Sequence, residues 1–149
     1  MQNIVMDAVL ARKNGSLDSW TLDDAGKPTR FTYNSHLQSL RIFSGSPKVF
    51  LLDQTGIFFS KISMVNEYNQ PAGELIYENQ QHDAGIVWLE GRKYRFRKTG
   101  GVMLISDRKR NLLFSLKAST NAVRDSNERA ALIFAALCIH EEKTLIPAY

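Results

Sequence analysis

Apolar and polar residues alternate in short bursts along the first 120 positions, each burst closed by a turn signal. Such period-two runs read as half-buried strands, because successive side chains on a strand point to opposite faces. Asn14-Gly15 links Ile4–Lys13 to Leu17–Leu22 as a two-residue hairpin, and Asp23–Pro28 is a second turn. Thr29–Tyr33, Leu37–Phe43, Val49–Leu52 and Ile57–Met64 follow, the last two joined through Asp53-Gln54-Thr55-Gly56. Gly73–Tyr77, Gly85–Glu90, Lys93–Lys98, Val102–Ser106 and Leu112–Lys117 complete eleven candidate strands. Val49–Lys61 and Val102–Lys117 share an apolar–turn–apolar texture, which two similar hairpins explain without a repeat architecture.

The pattern then changes. Ala130–Ile139 is ten apolar residues without interruption, too short to cross a bilayer, which takes about 20. Asp125-Ser-Asn-Glu128 supplies a capping-box start, so a helix is expected over about 126–141. Glu141 and Glu142 stand at its end, where they oppose the helix dipole and are expected to leave for solvent. Pro147 stops the helix, and Leu145-Ile146 either adds a short strand or packs down. A helix apolar on all sides must be enclosed on all sides. Strands precede it without βαβ alternation, so the expected fold is mainly β: a closed or nearly closed antiparallel barrel of 11–12 strands around the C-terminal helix. The competing arrangement, a two-sheet sandwich capped by the helix, would leave one helix side wet. No linker or composition break appears, so residues 1–149 are expected to form one domain.

Composition sharpens this in two places. The single Cys138 lies in the most apolar segment and cannot form an internal disulfide, and residues 1–7 lack the features of a secretory signal. A cytoplasmic setting is the expectation, with no transmembrane segment. The net charge of +4 conceals a skew: residues 1–91 carry 7 Lys/Arg against 10 Asp/Glu, whereas residues 92–149 carry 12 against 5. Nine of the basic residues fall between Arg92 and Lys117, opposed only by Asp107. Clustered charge of one sign attracts phosphate-bearing surfaces, although a solvated barrel exterior would carry charge as well.

The segment Asn127–Glu142, an apolar helix behind a polar capped turn, together with the strand–turn–strand of Val102–Lys117, resembles the tubby-like barrel superfamily. That group comprises the tubby C-terminal domain, the phospholipid scramblases and the plant LURP-one-related proteins. The resemblance is one of pattern and extends over nearly the whole chain. It implies a twelve-stranded barrel around a central helix, and tubby domains bind phosphoinositides through basic residues. Cys138 falls inside the helix, so scramblase acylation is not carried over, and no acidic cluster supports the calcium site proposed for those proteins.

Lys93-Tyr94-Arg95-Phe96-Arg97 alternates without a fault, which puts three cations on one strand face and two rings on the other. The candidate anionic head-group site is Arg92, Lys93, Arg95, Arg97, Lys98, Arg108, Lys109 and Arg110, provided that the 108–110 turn lies beside the 93–97 strand. Nucleic acid fits less well, since alternation sends Tyr94 and Phe96 away from the basic row. Catalysis finds no support: His36, His82 and His140 lie in separate segments and read as structural. No metal-ligand spacing or nucleophile elbow is present, Gly100-Gly101 is followed by a strand rather than a helix, and Trp20 and Trp88 read as core or rim anchors. No catalytic residue, metal or cofactor is assigned. The expected function is a non-enzymatic binding module for anionic phospholipid or a protein partner, peripheral at a membrane. The alternatives are a regulatory protein-interaction domain without a small ligand, or a lipocalin-like carrier.

Overall fold

The computed structural model describes residues 4–12, 17–24, 27–34, 36–43, 47–55, 60–79, 83–100, 102–118 and 126–145. Among the described residues eleven strands precede one helix: β1 (Ile4–Arg12), β2 (Leu17–Asp24), β3 (Lys27–Asn34), β4 (Ser39–Phe43), β5 (Lys48–Thr55), β6 (Lys61–Asn66), β7 (Pro71–Tyr77), β8 (Ala84–Leu89), β9 (Arg92–Thr99), β10 (Val102–Asp107), β11 (Leu112–Ala118) and α1 (Ser126–Leu145). Each strand from β2 to β11 pairs antiparallel with its predecessor. β1 also lies beside β11, and this ladder is parallel, Ile4 facing Phe114 and Ala8 facing Ala118. The antiparallel expectation therefore holds for consecutive strands and fails at the meeting of first and last, whose chain directions coincide.

The inward side of the sheet is the side the alternation marked. Phe31, Tyr33, Leu40, Ile42, Phe50, Leu52, Ile62 and Met64 are buried, as are Leu75, Tyr77, Val87, Leu89, Tyr94, Phe96, Met103 and Ile105. They share one core with Ala130–Ile139 of α1, every residue of which is buried. Ten successive buried helical residues leave no wet side, since each is rotated by about 100° from the last. The sheet wraps the helix, and the helix contacts β3, β4, β5 and β8 among others. Gly73 marks one point of close approach: a Cβ there would sit 3.1 Å from the Phe134 ring.

Several local expectations shift. Asp53-Gln54-Thr55 belongs to β5 and pairs with Ser63, Ile62 and Lys61, because the ladder continues past the residues that look like a turn. The helix runs to Leu145, four residues beyond the expected end, which removes Leu145 from any final strand. Asn14-Gly15 and Asp125 lie outside the described residues. The Asp23–Pro28 turn is tighter than the sequence suggests, with the ladder reaching the Asp24–Lys27 pair.

Two hairpin loops are built alike. In residues 66–70 the Asn66 carboxamide oxygen accepts from the Tyr68 and Gln70 amides, and Asn69 takes φ +60°. In residues 107–111 the Asp107 carboxylate accepts from the Lys109 and Asn111 amides, and Arg110 takes φ +67°. The backbone bonds match too: Asn69 to Asn66 and Arg110 to Asp107, both 3.0 Å. The structural echo thus joins loops that the sequence texture did not pair.

Candidate anion-binding surface

β9 sets out the site. Its inward residues Tyr94 and Phe96 are buried in the core, and Lys93, Arg95 and Arg97 stand on the outer wall. The hairpin loop Glu90-Gly91, both residues at positive φ (50° and 82°), is a two-residue connection that fixes the register of β8 against β9. That register places Trp88 across from Lys93, Ile86 across from Arg95 and Ala84 across from Arg97. On the other flank β10 places Ser106 across from Arg95 and Leu104 across from Arg97. Neither flank places a carboxylate directly across from the basic row, although Glu78 lines the same hollow as Arg95 and Arg97. One strand further, Glu74 faces Trp88 but is held by Lys61 at 3.4 Å.

The 107–111 loop brings its cations to the same region, which meets the condition the sequence left open. Arg108 and Lys109 line an open depression of about 730 Å³ with Arg92, Lys93, Trp88 and His140. Arg110 lines a second depression, of about 480 Å³, with Arg95, Arg97 and Ser106. Seven of the eight expected basic residues therefore line two adjoining hollows. Lys98 does not join them: it pairs with Met103, on the inward parity, near the Gly100 end of the hairpin. Asp107, the acid among these cations, spends its carboxylate on the backbone amides of its own turn.

Trp88 is 42% exposed on the outer wall, which excludes the core alternative of its expected core-or-rim role; Lys93 lies over its ring, Nζ 5.7 Å from the centroid. The side chain of Trp20 lies outside the described residues. Exposed Leu112 and Ile76 extend the apolar surround.

The end of the helix contributes a polar cluster that the sequence reading missed. Glu141, expected in solvent, is only 5% exposed and accepts a hydrogen bond from the Tyr94 hydroxyl at 2.8 Å. Burial is the main cause that raises the Glu141 carboxyl above its usual range; Tyr94, Arg92 and Lys48 pull it down, while Glu90 adds to the rise. Burial, and secondarily the charge of Arg92, lowers His140. Tyr94 is pushed up to about 12, first by burial and then by Glu141. One signal was available: residue 141 continues the 130, 134, 137 face of the helix, one turn beyond buried Leu137. Among the described residues no group of three or more His, Cys, Asp or Glu could hold a metal ion. His36 is exposed at the β3–β4 loop and His82 lies outside the described residues.

No protein-family model, curated protein or solved structure matches the chain. Among the described residues no helix is long and apolar enough to cross a membrane.

Proposed function

We propose that this chain is a non-enzymatic binding domain, a barrel closed around its helix, whose cationic wall docks on anionic phospholipid at the cytoplasmic face of a membrane. The observation that carries the reading is the row Lys93–Arg95–Arg97, bordered across both ladders by Ala84, Ile86, Trp88, Leu104 and Ser106, none of them charged. Like charges about 7 Å apart along a strand repel one another in the free protein, and an anionic surface relieves that repulsion. Each Lys or Arg near such a surface contributes about 1 kcal/mol, so the row alone is worth about 3 kcal/mol, or a hundredfold in affinity. Exposed Trp88 beside the row suits the headgroup level, where indole rings concentrate. The tubby-like resemblance points the same way. Closure is supported by the parallel register of Ile4–Ala8 against Phe114–Ala118 and by the complete burial of Ala130–Ile139.

Flotation with phosphatidylcholine vesicles, with and without an anionic lipid, tests the binding. The protein should float only with the charged vesicles and should be released by salt. The triple charge reversal at Lys93, Arg95 and Arg97 should abolish flotation; intact binding by that variant sinks the site. For closure, the amides of Ile4–Ala8 should be protected in hydrogen exchange, and free exchange there would refute it.

A further inference from the structure

The two basic hollows are not equivalent. The larger mixes Lys and Arg with a ring and a histidine, whereas the smaller is lined by three arginines, Arg95, Arg97 and Arg110, together with Ser106. Among the described residues none of the three is ion-paired. Glu78 is the one carboxylate in the lining, which leaves an excess of two positive charges.

Arg110 reaches this hollow from a backbone conformation that L-residues with large side chains rarely adopt. The twin loop shows what the same geometry takes when stability decides. With the same two Asx bonds and the same backbone bonds, its left-handed position carries Asn69, a residue that tolerates that region. An arginine there is strained relative to asparagine or glycine, and such strain persists where a side chain is needed in place. Its neighbours Arg108 and Lys109 line the other hollow, so without Arg110 the smaller one would hold two arginines.

We propose that Arg95, Arg97 and Arg110 form a site for a phosphomonoester dianion, and that the left-handed turn exists to deliver the third guanidinium. A guanidinium presents a planar fork of donors and no acceptor, which matches the paired oxygens of phosphate. A phosphomonoester offers three terminal oxygens and close to two charges, a better match to three forks and an excess of two than a phosphodiester with two oxygens and one charge. Ser106, between Arg95 and Leu112 in the ladders, supplies a neutral donor to the same hollow. This inference rests on the anion-binding reading of the wall and adds the class of anion and the residue that selects it.

The test compares vesicles carrying phosphatidate, a phosphomonoester lipid, with vesicles carrying the same mole fraction of phosphatidylserine, and adds a titration with inorganic phosphate. The wild-type chain should prefer phosphatidate by about tenfold, the effect expected of one charged bidentate bond. Arg110→Gly should lose that preference, keep its binding to phosphatidylserine, and melt at a higher temperature as the strain is relieved. Arg110→Lys, which keeps the charge without the fork, should also lose the preference. Saturable binding of inorganic phosphate that is lost in Arg110→Gly, without vesicle binding, supports the site with a soluble phosphomonoester as its source. Equal binding to both lipids, or an unchanged preference in Arg110→Gly, overturns this inference and leaves the anionic-surface reading standing. Failure to bind either vesicle or phosphate overturns both.

Discussion

The hydroxyl of Tyr94 donates to Oε1 of Glu141 at 2.8 Å, tying the ninth strand to the last turns of the helix across 47 positions of sequence. Both partners are buried, so the bond satisfies groups that have no easy recourse to water. Tyr94→Phe should destabilise the fold by about 1–3 kcal/mol, because the carboxylate loses a donor while remaining enclosed. Glu141→Gln keeps an acceptor for the hydroxyl and removes a buried charge, and should cost much less. Urea unfolding of the two variants beside wild type checks the order; equal losses would show that the charge matters more than the bond.

The same pair gives the protein an alkaline limit. Tyr94 is raised from the ordinary 10 to about 12 in the folded chain, by burial first and Glu141 second. A group whose folded value is raised contributes stability that is complete below its unfolded value and is lost as pH climbs through the folded one. Melting temperature should therefore fall between pH 10 and about 12, and the fall should be shallower in Tyr94→Phe.

On the acid side two groups oppose one another. His140 is lowered by burial and Arg92, so its stability contribution is present above the ordinary 6.5 and is lost as pH falls. Glu141 is raised by burial, so its contribution runs the other way, increasing as pH falls toward its ordinary 4.5. Glu141→Gln removes the compensating half and should steepen the loss of stability in mild acid. An unchanged slope in a pH series of urea midpoints would contradict the opposition.

Two glycines in the wall differ in what surrounds them. A Cβ at Gly85 would collide with the Ile76 carbonyl oxygen and lie 2.8 Å from the Phe96 ring. A Cβ at Gly73 would meet the Trp88 carbonyl oxygen at 3.0 Å, Phe134 at 3.1 Å and Leu89 at 3.3 Å. The first contact is backbone within a ladder and cannot yield cheaply; two of the second set are side chains that can shift. Gly85→Ala should cost about 3 kcal/mol and Gly73→Ala about 1 kcal/mol, measured by thermal or urea unfolding.

Ala135 is fully buried at the centre of the helix. Ala135→Glu would enclose an unpaired charge, a cost of several kcal/mol, which is comparable with the whole stability of a domain this size. The variant should lack a cooperative unfolding transition. A soluble form with native-like melting would mean that the helix has an open side.

The architecture was legible because two periodicities speak for themselves. Alternation in Lys93–Arg97 put Tyr94 and Phe96 inside, and the unbroken apolar run Ala130–Ile139 required enclosure. Less legible was anything set by pairing between distant segments. Trp88 has the outward parity of β8, but only the two-residue Glu90-Gly91 loop and its register place it beside Lys93. Glu141 looked like a solvated helix end because its partner Tyr94 lies on a strand 47 positions away and the helix continues past it to Leu145. The basic residues were readable as a cluster, while the placing of Arg110 with Arg95 and Arg97, apart from Arg108 and Lys109, goes with a left-handed φ that composition does not reveal.

The enclosed helix also bears on how the molecule comes into being. Ser126–Leu145 is made after the strands, yet the inward side chains of β3 to β10 share their core with it. A chain emerging from the ribosome must therefore hold some 118 residues of sheet-forming sequence with its apolar lining uncovered until α1 is delivered, and the first strand finds Phe114–Ala118 only after more than a hundred intervening residues are made. Such dependence on late, distant contacts slows folding and lengthens the interval in which strand edges can meet those of other chains. The centre of the protein is made after the sheet that packs on it.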